Sequence, residues 1–592
     1  MKGFYGKLLT IDITNQSFEE EAIEEEVFEK YLGVKGLGAY LLNKYNPPQV
    51  PALAPENNLI FCTGPTAGSS VWGSSRYGVF TKSPLTGFFS ESYSGGKVPE
   101  AIDAAGYDAI VINGQSKTPV VLSIEPGKVV FNNADDLWGK DTFETEALIK
   151  EKFGNEKPGA QKSNKQDKKF KKTGIVAIGP AAENKVSFGI IQNDNWHCAG
   201  RTGAGTVMAS KMIKGILFQG SEKRKYHDEK ALKSFVKHIT EMGKGHPAVT
   251  AYKSMGTSQM VKVLNANKAF PTQYWSKGYF DKWENISAEA LHTQCDVTPT
   301  GCLKCFMTCG RQTTILRGRH KGMTLEGPEY ETIYAFGGLC MVDSIEEIAF
   351  FHVLCDRLGM DTITAGNLCA FSIEAAKRGK IDLDIDYGDV EGIEKLIHMI
   401  AKRQGVGDVL AHGIKHAAKE WDLEDIAVHA KGLEPAGYDP RVLKGMGLAY
   451  GVSDRGACHL RGTFYKPELT GMSPLDVLKG KAELLIDFED RLTIFDTMVL
   501  CRFFRDFYTW EELAVMIRSL TGVKSDKASL QEKAGNIARE IRKFNVQEGL
   551  TSDDDRLSEG LFNKLTDTGA ELTHEEYETM LAEYYELRGW TL

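Results

Sequence analysis

Three cysteines at C-x2-C-x3-C spacing stand in Thr300-Gly-Cys302-Leu-Lys-Cys305-Phe-Met-Thr-Cys309-Gly-Arg311. A loop bracketed by Pro299 and Gly310 can turn three thiolates toward one point, which a metal or iron–sulfur site requires. A 4Fe–4S cube takes one ligand per iron, so a fourth must come from elsewhere; Cys501, after a long gap, and Cys295, just upstream, are the candidates. A zinc knuckle and buried free thiols are the rival readings. Three cysteines within eight residues, beside Gly and Lys, favour the cube.

Carboxylates, an imidazole and guanidinium groups form the other clusters. Glu326-Gly-Pro-Glu329-Tyr330-Glu331 follows the cysteine loop, where burial near a metal raises a carboxyl pKa and makes a general base. Gly437-Tyr438-Asp-Pro-Arg441 and Asp454-Arg-Gly-Ala-Cys458-His459-Leu-Arg461-Gly bring a phenol, an imidazole as proton donor and a guanidinium in loop-like surroundings. Two carboxylate elements, Asp356-Arg-Leu-Gly359-Met360-Asp361 and Asp496-Thr-Met-Val499-Leu500-Cys501, could accept hydrogen bonds from the N–H donors of a heterocycle, and the second delivers Cys501. Two small-residue loops each carry one arginine: Gly73-Ser-Ser-Arg76-Tyr-Gly78 and Ala199-Gly-Arg201-Thr-Gly203-Ala-Gly205. Exposed backbone N–H groups and a guanidinium fork suit phosphate oxygens, so paired loops point to two anionic ligands or one with two phosphates. The glycine order after Cys198 is G-x-x-G-x-G, not a dinucleotide fingerprint.

These residues need a scaffold. The chain has 592 residues, too long for a single core, and a soft prior of about three or four domains. A net charge of −9 argues against a nucleic-acid footprint. The first residues lack the pattern of a signal peptide, no apolar run is long enough to span a bilayer, and eleven unevenly scattered cysteines fit reduced thiols, so a cytoplasmic enzyme is expected. Residues 1–215 carry β-branched runs (LLTIDIT, NLIFCTG, YGVFTK, AIVING, PVVLSI, KVVF, GIVAIG, VSFGII) separated by turn residues. Within them Leu59-Ile-Phe-Cys-Thr-Gly64-Pro65 and Ile175-Val-Ala-Ile-Gly179-Pro180 echo one another as strand into Gly-Pro turn. The basic run 157–172 reads as a solvated surface insertion. From 216 the pattern turns helical. Ser344 with Glu347 predicts a capping box, and Ile345, Ile348, His352 and Cys355 share a helical face that should end at Gly359. The fold class is therefore α+β: a β-rich base over 1–215, then mainly helical domains over 216–420 and 421–592.

Together these motifs resemble the tungsten-containing aldehyde ferredoxin oxidoreductase family. The resemblance spans essentially the whole chain: GFYGKLLTIDIT at the start, Gly33-Val-Lys-Gly-Leu-Gly, SSRYG with SPLTG, AGRTGAGTVMASK, the cysteine loop, GPEYET, both Asp elements and DDDRL near the end. It implies a β base under two helical domains, one tungsten held between the dithiolenes of two pterins, and one 4Fe–4S cluster ligated by Cys302, Cys305, Cys309 and Cys501. It further implies pterin contacts at Asp356, Asp361 and Asp496, with Arg76 and Arg201 near phosphates bridged by Mg2+; Gly203 and Arg461 join the cofactor-facing set. The acid and base positions fall on Glu329, His459 and Tyr438, with Glu331 beside them. Three departures stand out. Val499 replaces the glycine the family favours, Tyr93 stands where asparagine is expected, and no E-x-x-H pair lies near residue 350 of the sort some members use at a dimer interface.

The resemblance implies oxidation of an aldehyde with water to the carboxylate. His459 or Tyr438 would donate to the carbonyl oxygen, Glu329 would help activate the water, and electrons would leave through the cluster to ferredoxin or an iron–sulfur partner subunit, in a homo- or hetero-oligomer. The rivals are a low-potential reductase of aromatic thioesters, marked by a cysteine thiolate toward the metal (Cys340 or Cys458), and a zinc-stabilised binding protein without catalysis.

Overall fold

The computed structural model describes residues 1–154 and 170–591. Most of the basic run, residues 157–169, lies outside the described residues. The α+β plan is what the chain builds: two sheets within residues 7–220, then a helix-rich remainder.

The first sheet has six strands: β1 (Lys7–Asp12), β2 (Ser17–Ala22), β3 (Leu59–Cys62), β4 (Tyr77–Lys82), β5 (Phe89–Ser94) and β6 (Ala109–Asn113). Their order is β2-β1-β6-β3-β4-β5, with β1 parallel to β6 and all other neighbours antiparallel. The second has β7 (Val120–Glu125), β8 (Lys128–Asn133), β9 (Lys172–Ala177), β10 (Ile191–Asn193), β11 (His197–Ala199) and β12 (Ile213–Gly220), in the order β8-β7-β12-β9-β10-β11 with β7 parallel to β12. Shifted by six strands the two orders are the same. The base is a duplicated unit, and the echoing segments form β3 and β9, which hold the same place in each sheet. The arginine loops do not repeat with them. Arg76 lies between β3 and β4, whereas Arg201 follows β11, the counterpart of β5. The two sheets meet at Asn193 of β10, whose side chain accepts from Tyr77 Oη of β4 (3.0 Å) and Ser94 Oγ of β5 (2.6 Å) and donates to the Gly95 carbonyl (3.1 Å).

Several strands were not legible. β12 is buried along its whole length, as a strand covered on both faces is, and shows no alternation. β2, SFEEEA, is an acidic edge strand that resists further pairing through its charge. The run VSFGII contributes only Ile191 to a strand, because its backbone bonds the helical region instead: Ser187 N–H to the Ala411 carbonyl (2.8 Å), and the Phe188 carbonyl to Asp361 N–H (3.2 Å).

A third small sheet carries the cysteines. β13 (Cys295–Thr300) and β14 (Gly310–Ile315) form a hairpin, edged by β15 (Thr324–Glu326), and the cysteine loop is its tip. Cys295 pairs with Ile315 at the other end, five residues or about 17 Å up the strand, and cannot reach the loop's thiols. The chain then runs through Glu329 into one helical turn, Tyr330–Thr332, and a π-helix, Ile333–Leu339. The helix Ile345–Leu358 stops at Gly359 as expected, with φ +79°. Its capping box is half formed. Ser344 accepts from Glu347 N–H, but the Glu347 carboxylate turns away to Arg319 and His320.

Candidate active site

A cavity of about 1300 Å3, its open mouth included, lies between the doubled base and the helices. On its wall stand Arg76, Arg201, Arg461, Asp361, Asp496, Glu329, Glu331, Tyr438, His459 and Cys501, ten residues that the sequence singled out from separate segments. Asp356 and Gly203 stand off the wall. The Asp356 carboxylate is 3.2 Å from His352 Nε2, behind it. Gly203 (φ +79°) opens the helix Ala204–Ser210, and a Cβ there would meet the Ser187 carbonyl oxygen at 2.0 Å, so close chain packing accounts for this glycine.

The base side is cationic. Arg201 ties the base to both helical segments: Nε to Asp361 Oδ2 (3.1 Å), and its terminal nitrogens to the carbonyls of Ala457 (3.1 Å) and Glu434 (2.7 Å). Asp361 also caps the helix Thr362–Lys377, accepting from Ile363 and Thr364 N–H. Asp496, at the end of the helix Lys481–Thr497, accepts from Arg461 (2.7 Å) and Arg502 (2.6 Å). Behind them Glu91 bonds Arg461, Lys35 Nζ (3.1 Å) and Tyr93 Oη (2.7 Å), and its carbonyl accepts from Arg455. Burial opposes ionisation of Glu91, yet Arg461, Lys35 and Arg455 hold its carboxyl well below the usual carboxylate range. Buried Nε atoms of Arg455 and Arg461, and one terminal nitrogen of Arg502, have no acceptor within the protein. Unpaired buried donors are costly, so this wall is built for an anion.

Beside these arginines His459 Nε2 is 3.4 Å from Glu331 Oε1, while Glu331 Oε2 accepts from Gly437 N–H at 3.0 Å. Burial pushes the Glu331 carboxyl up to about 8, against the Gly437 bond and the charge of Arg201. Burial, then Arg201, Arg455 and Arg502, drives His459 well below its ordinary value and keeps the imidazole neutral. Glu329 is buried too, with its carboxyl raised by desolvation, but it bonds the Thr257 hydroxyl and not His459. Of the two expected carboxylates it is Glu331, across the turn Tyr330–Thr332, that lies beside the imidazole, and not Glu329. Tyr438 stacks on Tyr465 with ring centres 4.1 Å apart, and burial keeps its phenol protonated.

The cysteine side is tied together by Gly73. Its N–H donates to the Lys304 carbonyl (2.8 Å), and its carbonyl accepts from Cys501 N–H (2.8 Å), which clasps the hairpin tip to the second Asp element. Gly96 N–H donates to Cys302 Sγ (3.3 Å), and Arg76 donates to Cys501 Sγ (3.5 Å). Burial raises the thiols of Cys302, Cys305 and Cys309, Cys305 to about 12. They become thiolates only where a metal replaces the proton. Among the described residues no three His, Cys, Asp or Glu side chains converge on one ion; these sulfurs are gathered, not convergent.

Residues the sequence did not single out include Glu91, Lys35, Arg502, Thr257 and Tyr465. Arg502 adjoins Cys501, and adjacency was the available signal. Glu91 lies in FSESYS, where nothing local marks it.

A charged, enclosed cavity beside gathered thiols, over a doubled β base, has the parts of a metal-dependent oxidoreductase. The comparisons narrow that class. The N-terminal domain model of aldehyde ferredoxin oxidoreductase matches residues 8–220, and the model for its domains 2 and 3 matches residues 234–592. The tungsten-containing aldehyde ferredoxin oxidoreductase of Pyrococcus furiosus is 33% identical over 608 residues, covering all of this chain and 97% of that protein; that of Thermococcus kodakarensis is also 33% identical, with the same coverage. The chain belongs to the aldehyde ferredoxin oxidoreductase family, a family of tungsten oxidoreductases. A more distant relative, the WOR-like subunit of an aliphatic sulfonate oxidoreductase from P. furiosus, is 28% identical over 85% of this chain and 80% of its own. The active-site complex of a benzoyl coenzyme A reductase with 1,5-dienoyl-CoA shares the fold, with a TM-score of 0.85 at 22% identity over all of this chain and 95% of that one.

Proposed function

We propose that this chain oxidises an aldehyde to its carboxylate with water as the oxygen source, and passes two electrons singly through an iron–sulfur cluster to ferredoxin or an iron–sulfur partner chain in the cytoplasm. The observation that carries this reading is the Glu331–His459 pair, 3.4 Å apart on the wall of the arginine-rich cavity. A tungsten bis-pterin with Mg2+ would be held in that cavity: the unpaired guanidinium nitrogens of Arg455, Arg461 and Arg502 would meet its anionic groups, and Asp361 and Asp496 would accept from its N–H groups. When bound it supplies the two-electron redox centre. Cys302, Cys305, Cys309 and Cys501 would hold the cluster, with Arg76 beside Cys501 on the cavity wall.

The protein's own residues position and move protons. Aldehyde plus water yields carboxylate, two electrons and three protons, so a buried base is required. The Glu331 carboxylate accepts a proton from water and shares it with the neutral His459; protonated Tyr438 donates to the carbonyl oxygen. Because the Glu331 pKa is about 8, kcat/KM rises with pH and levels off near that value. Glu331→Gln is expected to lower kcat by about 10² to 10⁴ with tungsten and iron content unchanged; lost metal would make Glu331 structural, and a full effect in Glu329→Gln alone would return the role to Glu329.

The runner-up is a low-potential thioester reductase. Burial opposes it, yet Arg455 and Arg461 bring the Cys458 thiol down to about 6, with Arg455 3.0 Å from Sγ. Cys340 donates to the Gly366 carbonyl, and neither cysteine lines the cavity, Cys458 lying just behind His459 of its wall. Turnover of an aromatic acyl-CoA, and none of any aldehyde, would favour this reading. Among the described residues no helix is long and apolar enough to cross a membrane.

A further inference from the structure

The segment Glu434–Tyr438 has no regular structure, yet every carbonyl along it accepts a side-chain bond. Arg201 reaches Glu434; Tyr334 Oη donates to Pro435 (2.5 Å); Tyr450 Oη is shared between Ala436 (3.0 Å) and Tyr438 (3.2 Å); Tyr330 Oη donates to Gly437. At Gly437 a Cβ would meet the Tyr334 ring at 2.6 Å and Tyr330 Oη at 2.8 Å, so only glycine fits under this clamp. Its N–H is the donor on Glu331 Oε2.

The direction of one strand of this network is fixed from a distance. The Trp275 indole N–H can only donate, and it does so to Asn367 Oδ1 (2.9 Å). The Asn367 amide must then present Nδ2 to Tyr334 Oη (2.9 Å), and that hydroxyl, having accepted, donates onward to Pro435. Trp275 sits in a costly conformation: Gln273, Tyr274 and Trp275 have φ of 49°, 41° and 62°, three consecutive left-handed residues without a glycine. Their turn is held because Gln273 and Tyr274 N–H cap the π-helix, donating to the carbonyls of Gly338 and Leu339 (both 3.1 Å).

We propose that Trp275, Asn367 and Tyr334 form a directional hydrogen-bond relay that, through Pro435–Gly437, holds Glu331 by one oxygen and leaves the other facing His459. They are positioning residues, and the inference rests on the Glu331 reading above. The groups facing Glu331 are His459, Arg201, Cys458 and the phenols of Tyr330, Tyr334, Tyr438 and Tyr450. Of its contacts the Gly437 bond is the one nearest the relay; it favours the carboxylate, as does the hydroxyl of Tyr438 at the end of the same clamped segment.

The test is Tyr334→Phe in the metal-loaded protein, with Trp275→Phe, which frees the Asn367 amide to flip, as the second variant. The carboxyl stretch of Glu331, identified by its absence in Glu331→Gln, is followed by infrared difference spectroscopy against pH. In both variants the band should persist to higher pH than in the unmodified protein, and kcat should fall by about tenfold with KM little changed. Tyr577→Phe removes a remote buried hydroxyl bonded to the Asp555 carbonyl, and should cost stability without moving the band. A Tyr334→Phe protein that loses stability as Tyr577→Phe does, with band and kcat unmoved, would overturn the relay. A band that moves in a protein that oxidises no aldehyde would keep the relay and sink the reaction.

Discussion

The two Asp elements are built on one backbone plan and end in different chemistry. Each closes a long helix, Ile345–Leu358 and Lys481–Thr497, and each turns out of it on a left-handed residue, Gly359 at φ 79° and Val499 at φ 53°. Each turn packs against the Gly-Pro corner of one sheet: a Cβ on Gly359 would lie 2.8 Å from Gly179 N, and Val499 Cγ2 lies 3.3 Å from where a Gly64 Cβ would be. The duplication of the base is thus matched by a pair of helix ends seated on it. The differences fall at the turn and after it. The first element ends in Asp361, a cap and an Arg201 partner; the second ends in Cys501, beside Arg76. Behind the wall the first aspartate meets His352, while the second is shared by Arg461 and Arg502. One backbone plan is used twice, and the residue that ends it differs: a carboxylate in the first element, a thiol in the second.

The largest test of this contrast is at those last residues. Cys501→Ser is expected to lower the iron content from about four per chain and abolish electron transfer, whereas Asp361→Asn keeps the iron; equal iron in both would break the distinction. Next come the aspartates. Asp496→Asn leaves buried Arg502 without its carboxylate and Arg461 with Glu91 alone, and should cost about 3 kcal/mol in denaturant unfolding. Asp356→Asn, whose partner can shed its proton, should cost less than half as much. Gly359→Ala forces a Cβ into a left-handed residue and against Gly179, and should cost about 3 kcal/mol. The His352–Asp356 contact has its own signature: although burial opposes it, Asp356 raises the His352 pKa. The stabilisation is full below the ordinary histidine value and disappears as pH rises through the folded one, so unfolding midpoints should fall over that window in the unmodified protein and not in Asp356→Asn. The smallest effect is at Val499. Val499→Gly relieves a strained β-branched residue but removes a buried side chain, and the two should offset to within about 1 kcal/mol. A large loss there would show that packing, not the turn, governs the second element.

Sequence alone determined what depends on residue type and short spacing. The cysteine triplet, the Gly359 stop and the strand-into-Gly-Pro echo are local statements, because helix ends, turns and ligand loops are decided within a few residues. Tertiary structure decided the rest. Spacing alone left both Cys295 and Cys501 open as the fourth ligand, and the hairpin register carries Cys295 away from the loop. Glu329 and Glu331 sit two residues apart, and only the helical turn between them shows which one faces His459. Glu91 and the tyrosine clamp on 434–438 gave no local signal, since most of the groups they satisfy lie far along the chain, 101 residues for Tyr334 and Pro435 and 370 for Glu91 and Arg461. Burial sets the pKa of Glu331, and burial is a property of the whole fold and not of any stretch of chain.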